Sequence, residues 1–177
     1  LAATLRRKRR RVDVLVNNAG VLEQGAFASM PAASHAQMIQ LNVAGLTALL
    51  AELLPPMVAR GSGRVLNVAS IAAFQPIPSL ATYAATKAGL AALTEGIRAD
   101  LLKTPIKVTC IFPGYIETEL SSKSAKTPLM VDTASGCRAL VAAIEREPAK
   151  ACVPSWPWTL VGWYMRNAPL AWIARMS

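Results

Sequence analysis

Apolar positions recur along the chain in two rhythms, short β-branched runs and longer stretches at helical spacing. Val12-Asp13-Val14-Leu15-Val16 is a run of the first kind, halted by Asn17-Asn18-Ala19-Gly20, and predicts a buried strand ending in a loop. From about Ser34 to Val58 the apolar residues Met38, Leu41, Leu46, Leu49, Leu50 and Leu53 fall on a helical period. Pro55-Pro56 is expected to end or kink that helix. The turn Gly61-Ser62-Gly63 precedes a second strand, Arg64 to Ala69, and a proline-bearing loop from Phe74 to Pro78 leads into a long helix over Ala81 to Leu102. Ile106 to Phe112 predicts a third strand, stopped by Pro113-Gly114. A polar, turn-rich stretch, Thr118 to Leu129, comes before a helix from Asp132 to Glu147 that Asp132 or Thr133 would cap, and Ala149 to Val153 suits a short last strand.

Strands alternating with helices of this length predict an α/β chain, a doubly wound parallel sheet with crossover helices on its faces. The first three strands are expected to lie side by side, nearly continuous apolar runs covered on both faces. In such a sheet, ligands sit beyond the carboxyl ends of the strands. Residues 1–153 read as this layer, and residues 154–177 as a Trp- and Pro-rich extension.

Composition narrows the classes. With 53% hydrophobic and 16% charged residues, a disordered chain is excluded. The formal charge of +9 is concentrated in Arg6-Arg7-Lys8-Arg9-Arg10-Arg11; the other 13 basic residues face 10 acidic ones. One terminal run is not a basic face, so no nucleic-acid partner is expected. Cys110, Cys137 and Cys152 lie far apart and His35 is the single histidine, which leaves neither a metal site nor a disulfide framework and favours a reducing, cytoplasmic compartment. Leu1 to Leu5 is too short for the apolar core of a signal peptide, and Leu41 to Val58, broken by Glu52 and Pro55-Pro56, reads as too short to span a bilayer.

The strand ends carry the candidate chemistry. Asn17-Asn18-Ala19-Gly20 follows the first strand, Ser70 the second, and Pro113-Gly114-Tyr115-Ile116-Glu117-Thr118 the third. The helix after Ser70 carries Tyr83 and, one turn on, Lys87. Singly, each has a plain structural reading as a turn, a cap or a helix-surface pair. Together, in this order and with Ser70 thirteen residues before Tyr83, they resemble the short-chain dehydrogenases/reductases. The resemblance runs from Val12 through Glu147. It rests on NNAG at Asn17 to Gly20, Asn42 within Leu41-Asn42-Val43-Ala44-Gly45, Ser70, YxxxK at Tyr83 to Lys87, and the Pro113 to Thr118 loop.

The resemblance implies a Rossmann-like sheet and an NAD(P)-dependent oxidoreductase acting on a carbonyl or secondary alcohol. Tyr83 would be the general acid/base, and Lys87 would lower its pKa and touch the nicotinamide ribose. Ser70 would hold the substrate oxygen, and Asn42 would help place a water for proton relay. A tyrosine needs such help, because its ordinary pKa near ~10 is high for neutral pH. Asn17, Ala19 and Gly20 would pass under the adenosine side of NAD or NADP. Pro113, Gly114, Ile116 and Thr118 would wrap the nicotinamide end, with Tyr83 and Lys87 completing the cofactor contacts. Ala84, Ala85, Ala88, Gly89, Ala91 and Ala92 give the tyrosine helix a small-residue surface, which implies a homo-oligomer packed through it; a tight contact within the chain is the alternative.

Two features depart from the family pattern. The glycine-rich TGxxxGxG turn that binds pyrophosphate at a helix N-terminus occurs nowhere in the 177 residues. At ~30 residues per βαβ unit, roughly 70–80 residues would be expected before Leu1, with Leu1 to Arg11 the tail of a preceding helix and Val12 to Val16 an unprotected sheet edge. A catalytically impaired remnant acting by association is the alternative reading. At the other end, Trp156, Trp158, Trp163 and Trp172 interleave with Pro154, Pro157, Arg166, Pro169 and Arg175. A clamp over the substrate pocket, a subunit contact, or a segment touching a membrane or an apolar substrate all suit that composition.

Overall fold

A computed structural model describes residues 1–117 and 129–175 of the chain. Four strands, β1 (Val14–Asn17), β2 (Arg64–Val68), β3 (Lys107–Pro113) and β4 (Lys150–Val153), form one parallel sheet in the order β1-β2-β3-β4. Registers such as Asn17↔Asn67, Asn67↔Cys110 and Pro113↔Val153 bring the carboxyl ends of the strands to one rim of the sheet. The expected α/β architecture and its adjacent strands are found as read from the sequence.

On one face, α3 (Leu46–Ala59) and α4 (Ala81–Asp100) bury Leu46, Leu50, Leu53, Met57 and Leu90 against Leu15, Val65 and Val108. On the other, α5 (Thr133–Arg146) sets Ala143 over Leu66, Ile111 and Val153. Asp132 caps α5 by accepting from the Ser135 N–H at 2.9 Å. α1 (Ala2–Arg7) packs Ala2 and Leu5 on the first cluster, as the expected helix tail would.

Three sequence readings change. β1 is not covered on both faces: Leu15 and Asn17 point into the core, while Val14 and Val16 are exposed. The helix predicted from Ser34 to Val58 is three pieces, α2 (Ala32–Ile39), a π-helical stretch Gln40–Gly45, and α3. Pro55 and Pro56 lie inside α3 without ending it. A proline interrupts a helix by removing the bond to the carbonyl four residues back. Those carbonyls belong to Ala51 and Glu52, both exposed, so solvent can satisfy them while Leu53 and Met57 hold the turn in the core. The resulting run, Ala32–Ala59, is by length and composition apolar enough to cross a membrane; here its Met38, Leu46, Leu50, Leu53 and Met57 are core residues of the sheet layer.

Beyond β4, α6 (Ser155–Asn167) and α7 (Leu170–Ile173) return to the sheet. Their Trp158, Met165 and Ile173 share a cluster with Ala69, Ile71 and Phe112. Gly114 is what permits this approach: a Cβ there would lie 2.1 Å from the Trp158 ring. Gly114→Ala is therefore expected to cost about 1–3 kcal/mol in overpacking, read as a lowered denaturant midpoint. Trp158→Leu in the same chain should recover part of that loss; an unchanged midpoint in the single variant would show that the ring moves freely.

Candidate active site

The strand-end residues converge because parallel pairing aligns the places where β1, β2 and β3 stop. Asn17 closes β1 and donates from Nδ2 to the Asn67 Oδ1 at 2.8 Å; Asn67 donates in turn to the Thr94 Oγ1 at 2.9 Å. This buried chain ties both strands to α4, the helix that carries Tyr83 and Lys87. Asn18 and Ala19 are exposed. Gly20 sits where a Cβ would be 3.2 Å from the Asn42 Oδ1 and 3.6 Å from the Lys87 Nζ, so the loop passes close beside both.

Asn42 is fully buried in the π-helical stretch. Its Oδ1 accepts from the Val21 N–H at 2.8 Å, and its Nδ2 donates to the Val21 carbonyl at 2.9 Å and the Thr86 Oγ1 at 3.1 Å. The Thr86 hydroxyl donates to the Tyr83 carbonyl at 2.7 Å. Asn42 thus clamps the loop after β1 onto the tyrosine helix. π-helical turns are rare and concentrate at functional sites, where the extra residue re-aims a side chain.

Ser70 leaves β2 in an extended conformation and caps the short 3-10 turn Ile71–Ala73, its Oγ accepting from the Ala72 N–H at 3.1 Å. Burial pushes the Tyr83 pKa above the ordinary phenol range, and the neighbouring Ser70 side chain pulls it part of the way back. Burial thus outweighs the lowering expected from Lys87. The Lys87 Nζ lies 5.7 Å from the Tyr83 ring centroid and donates to the Val68 carbonyl at 2.8 Å, so desolvation decides the direction.

Lys87 is only 5% exposed, and burial lowers its pKa to about 8. A cation held below its unfolded pKa opposes folding wherever the folded ammonium is charged. Lys87→Met is therefore expected to stabilise the fold by about 2 kcal/mol near neutral pH, after the lost Val68 hydrogen bond is counted. The gain should shrink between pH 8 and 10.5, where the native lysine is already neutral and only the unfolded one still binds a proton. Unfolding midpoints at several pH values check this; a variant less stable at pH 7 would mean that the ammonium has partners that repay its burial.

Pro113 and Gly114 end β3, and Gly114 donates to the Val153 carbonyl at 3.0 Å. Ile116 pairs with Val131 in an isolated parallel bridge and packs on Gly136 at the start of α5. Thr118 lies outside the described residues. Asn67, Thr86 and Thr94 were not singled out from the sequence. The one available signal was a polar residue, Asn67, inside an otherwise apolar strand.

The family model described as short chain dehydrogenase matches residues 1–129. The chain belongs to this family. An uncharacterized oxidoreductase of Mycobacterium tuberculosis is 41% identical over 148 residues, covering 83% of this chain and 58% of the relative. One of Myxococcus xanthus is 34% identical over 150 residues, covering 84% and 58%. The chain thus spans somewhat over half the length of these curated relatives. Among solved structures, a short-chain dehydrogenase from Sphingobium yanoikuyae in complex with NADPH superposes with a TM-score of 0.78 at 25% identity, over 96% of this chain and 72% of that one. A short-chain dehydrogenase from Streptomyces avermitilis gives 0.77 at 29% identity, over 97% and 69%. A gluconate 5-dehydrogenase from Burkholderia cenocepacia, in complex with NADP and tartrate, gives 0.67 at 28% identity over 72% and 50%. The short-chain dehydrogenase fold and membership of an oxidoreductase family follow.

Proposed function

We propose that the protein containing this chain is an NAD(P)-dependent oxidoreductase interconverting a carbonyl and a secondary alcohol, with Tyr83 as general acid/base. The observation that carries the reading is the meeting of Ser70, Tyr83, Lys87 and Asn42 at the carboxyl rim of the sheet. The NADPH and NADP held by two similar structures support a nicotinamide cofactor. The residues present fit one: Val68 takes a single N–H of the Lys87 ammonium, leaving two donors for ribose hydroxyls, and Gly20 keeps the adjoining space free of a side chain. Asn17, Ala19 and Gly20 would lie under the adenosine side, and Pro113, Gly114 and Ile116 along the nicotinamide end.

A bound nicotinamide supplies the hydride in reduction and takes it in oxidation. Within the chain, the Tyr83 hydroxyl donates its proton to the substrate oxygen as that oxygen gains negative charge, and the Ser70 hydroxyl hydrogen-bonds the same atom. The raised pKa keeps Tyr83 protonated, as a donor must be. Lys87 stabilises the phenolate left behind, and Asn42 fixes the loop and helix between which the proton returns from solvent. The half-buried Phe74, Ile77 and Tyr115 beside the rim favour a small, partly apolar substrate.

Ala85, Ala88, Gly89 and Ala92 are exposed on α4, and nothing lies within 4 Å of a Cβ built on Gly89. That favours a second copy of the chain over an internal contact at this surface. The free thiols support a reducing, cytoplasmic setting. The test is to follow reduced-nicotinamide absorbance with the full-length protein, NADH or NADPH, and a panel of ketones and secondary alcohols. Turnover lost in Ser70→Ala is expected; a panel on which the parent and this variant behave alike would overturn the reading.

A further inference from the structure

The C-terminal helices pose a problem that the oxidoreductase reading does not absorb. Trp158 is buried, but Trp156, Trp163 and Trp172 are 76%, 63% and 56% exposed. Leu160 and Leu170 stand out with them at 56% and 61%. Leu160 and Trp163, three residues apart in the regular part of α6, share its outward side, and Trp156 stands exposed at the non-helical kink before them. α6 and α7 sink Trp158, Met165 and Ile173 into one core cluster, so both turn their remaining sides outward. Large exposed apolar strips of this kind mark contact surfaces.

The charge around the strip identifies the partner. From Pro148 to Ser177 the sequence has no Asp or Glu, while it carries Arg166 and Arg175 besides Lys150, whose ammonium is paired with Glu95 at 2.9 Å. Arg166 lies with its guanidinium 3.8 Å over the Phe74 ring and stays exposed at the end of α6. Indole side chains beside arginines, without carboxylates, match the boundary between acyl chains and anionic headgroups. Chain that extended the sheet next to β1 would not cover this strip, because α6 packs on β4 at the opposite edge. A second copy is better served by α4, whose small residues allow close helix approach, than by three projecting indoles.

We propose that the outward face of α6 and α7 docks on an anionic lipid bilayer, with Trp156, Leu160, Trp163, Leu170 and Trp172 entering the interface. The contact is independent of catalysis and of cofactor binding.

The test is flotation of the 177-residue chain with vesicles of phosphatidylcholine alone or mixed with phosphatidylglycerol. Binding to the mixed vesicles, weakened by salt, is expected, with tryptophan emission shifted to shorter wavelength and quenched by brominated acyl chains. Leu160→Glu and Trp163→Glu, both at exposed positions, should each weaken binding at least tenfold with unchanged circular dichroism, and Trp163→Phe should retain most of it. Ile39→Glu, on the exposed side of α2, should bind as the parent does. Failure to float, flotation untouched by the α6 substitutions, or loss caused equally by Ile39→Glu would each overturn the proposal. So would light scattering showing that the α6 substitutions abolish a dimer while vesicle binding is absent.

Discussion

Tyr83→Phe in the full-length protein is expected to lower turnover by about 10²–10⁴-fold while leaving the fold in place. The ring is buried beside Met38, Ala72 and Ala84, and phenylalanine keeps that packing. What goes is the hydroxyl beside Ser70. The stability cost should be no more than about 1 kcal/mol for one hydrogen bond. The pH dependence carries the sign of the mechanism. Alcohol oxidation needs the phenolate, so its rate should rise as pH approaches the raised Tyr83 pKa; carbonyl reduction needs the phenol and should fall over the same range. Steady-state rates in both directions, beside a thermal melt, make the measurement. Near-parental activity in the variant would remove Tyr83 from the chemistry.

A second large effect is expected for the 177-residue chain studied by itself. Its sequence contains no TGxxxGxG turn, so the backbone N–H cradle that this family aims at pyrophosphate is not among its residues. Each charge-assisted hydrogen bond of that kind contributes roughly 1.5–3 kcal/mol, and two of them already correspond to about a hundredfold in affinity. Fluorescence titration with NADH and NADPH should therefore show binding at least a hundredfold weaker than that of a short-chain dehydrogenase that carries the turn. Equal affinities would shift the weight of recognition onto Lys87, Gly20 and the loop after β3.

The strands were legible because each is an apolar run with an abrupt stop, and the stops hold the candidate residues: Asn17, Ser70 and Pro113 lie where the sequence placed them. Less local features were not legible. Hydrophobic spacing does not register the single extra residue of a π-helical turn, so the break around Asn42 was read as continuous helix. Whether Pro55 and Pro56 end the helix or lie within it depends on the exposure of Ala51 and Glu52, which tertiary packing sets. Which tryptophan enters the core was hidden as well, because Pro154 and Pro157 interrupt the period that would have sorted Trp158 from Trp156. The direction of the Tyr83 shift needed coordinates: a lysine one turn away says nothing of the carbonyl to which it turns.

The Asn17–Asn67–Thr94 chain has a bearing on how the sheet is assembled. Asn17 and Asn67 face each other across β1 and β2, and their amides meet on the α4 side. In a parallel pair, a slip of one residue turns a whole strand over. Asn67 would then lie on the α5 side among Ile111, Ala143 and Val153, a dry apolar cluster. Each stranded amide would cost about 1–3 kcal/mol. The two asparagines therefore favour the native register of β1 and β2 over a one-residue slip.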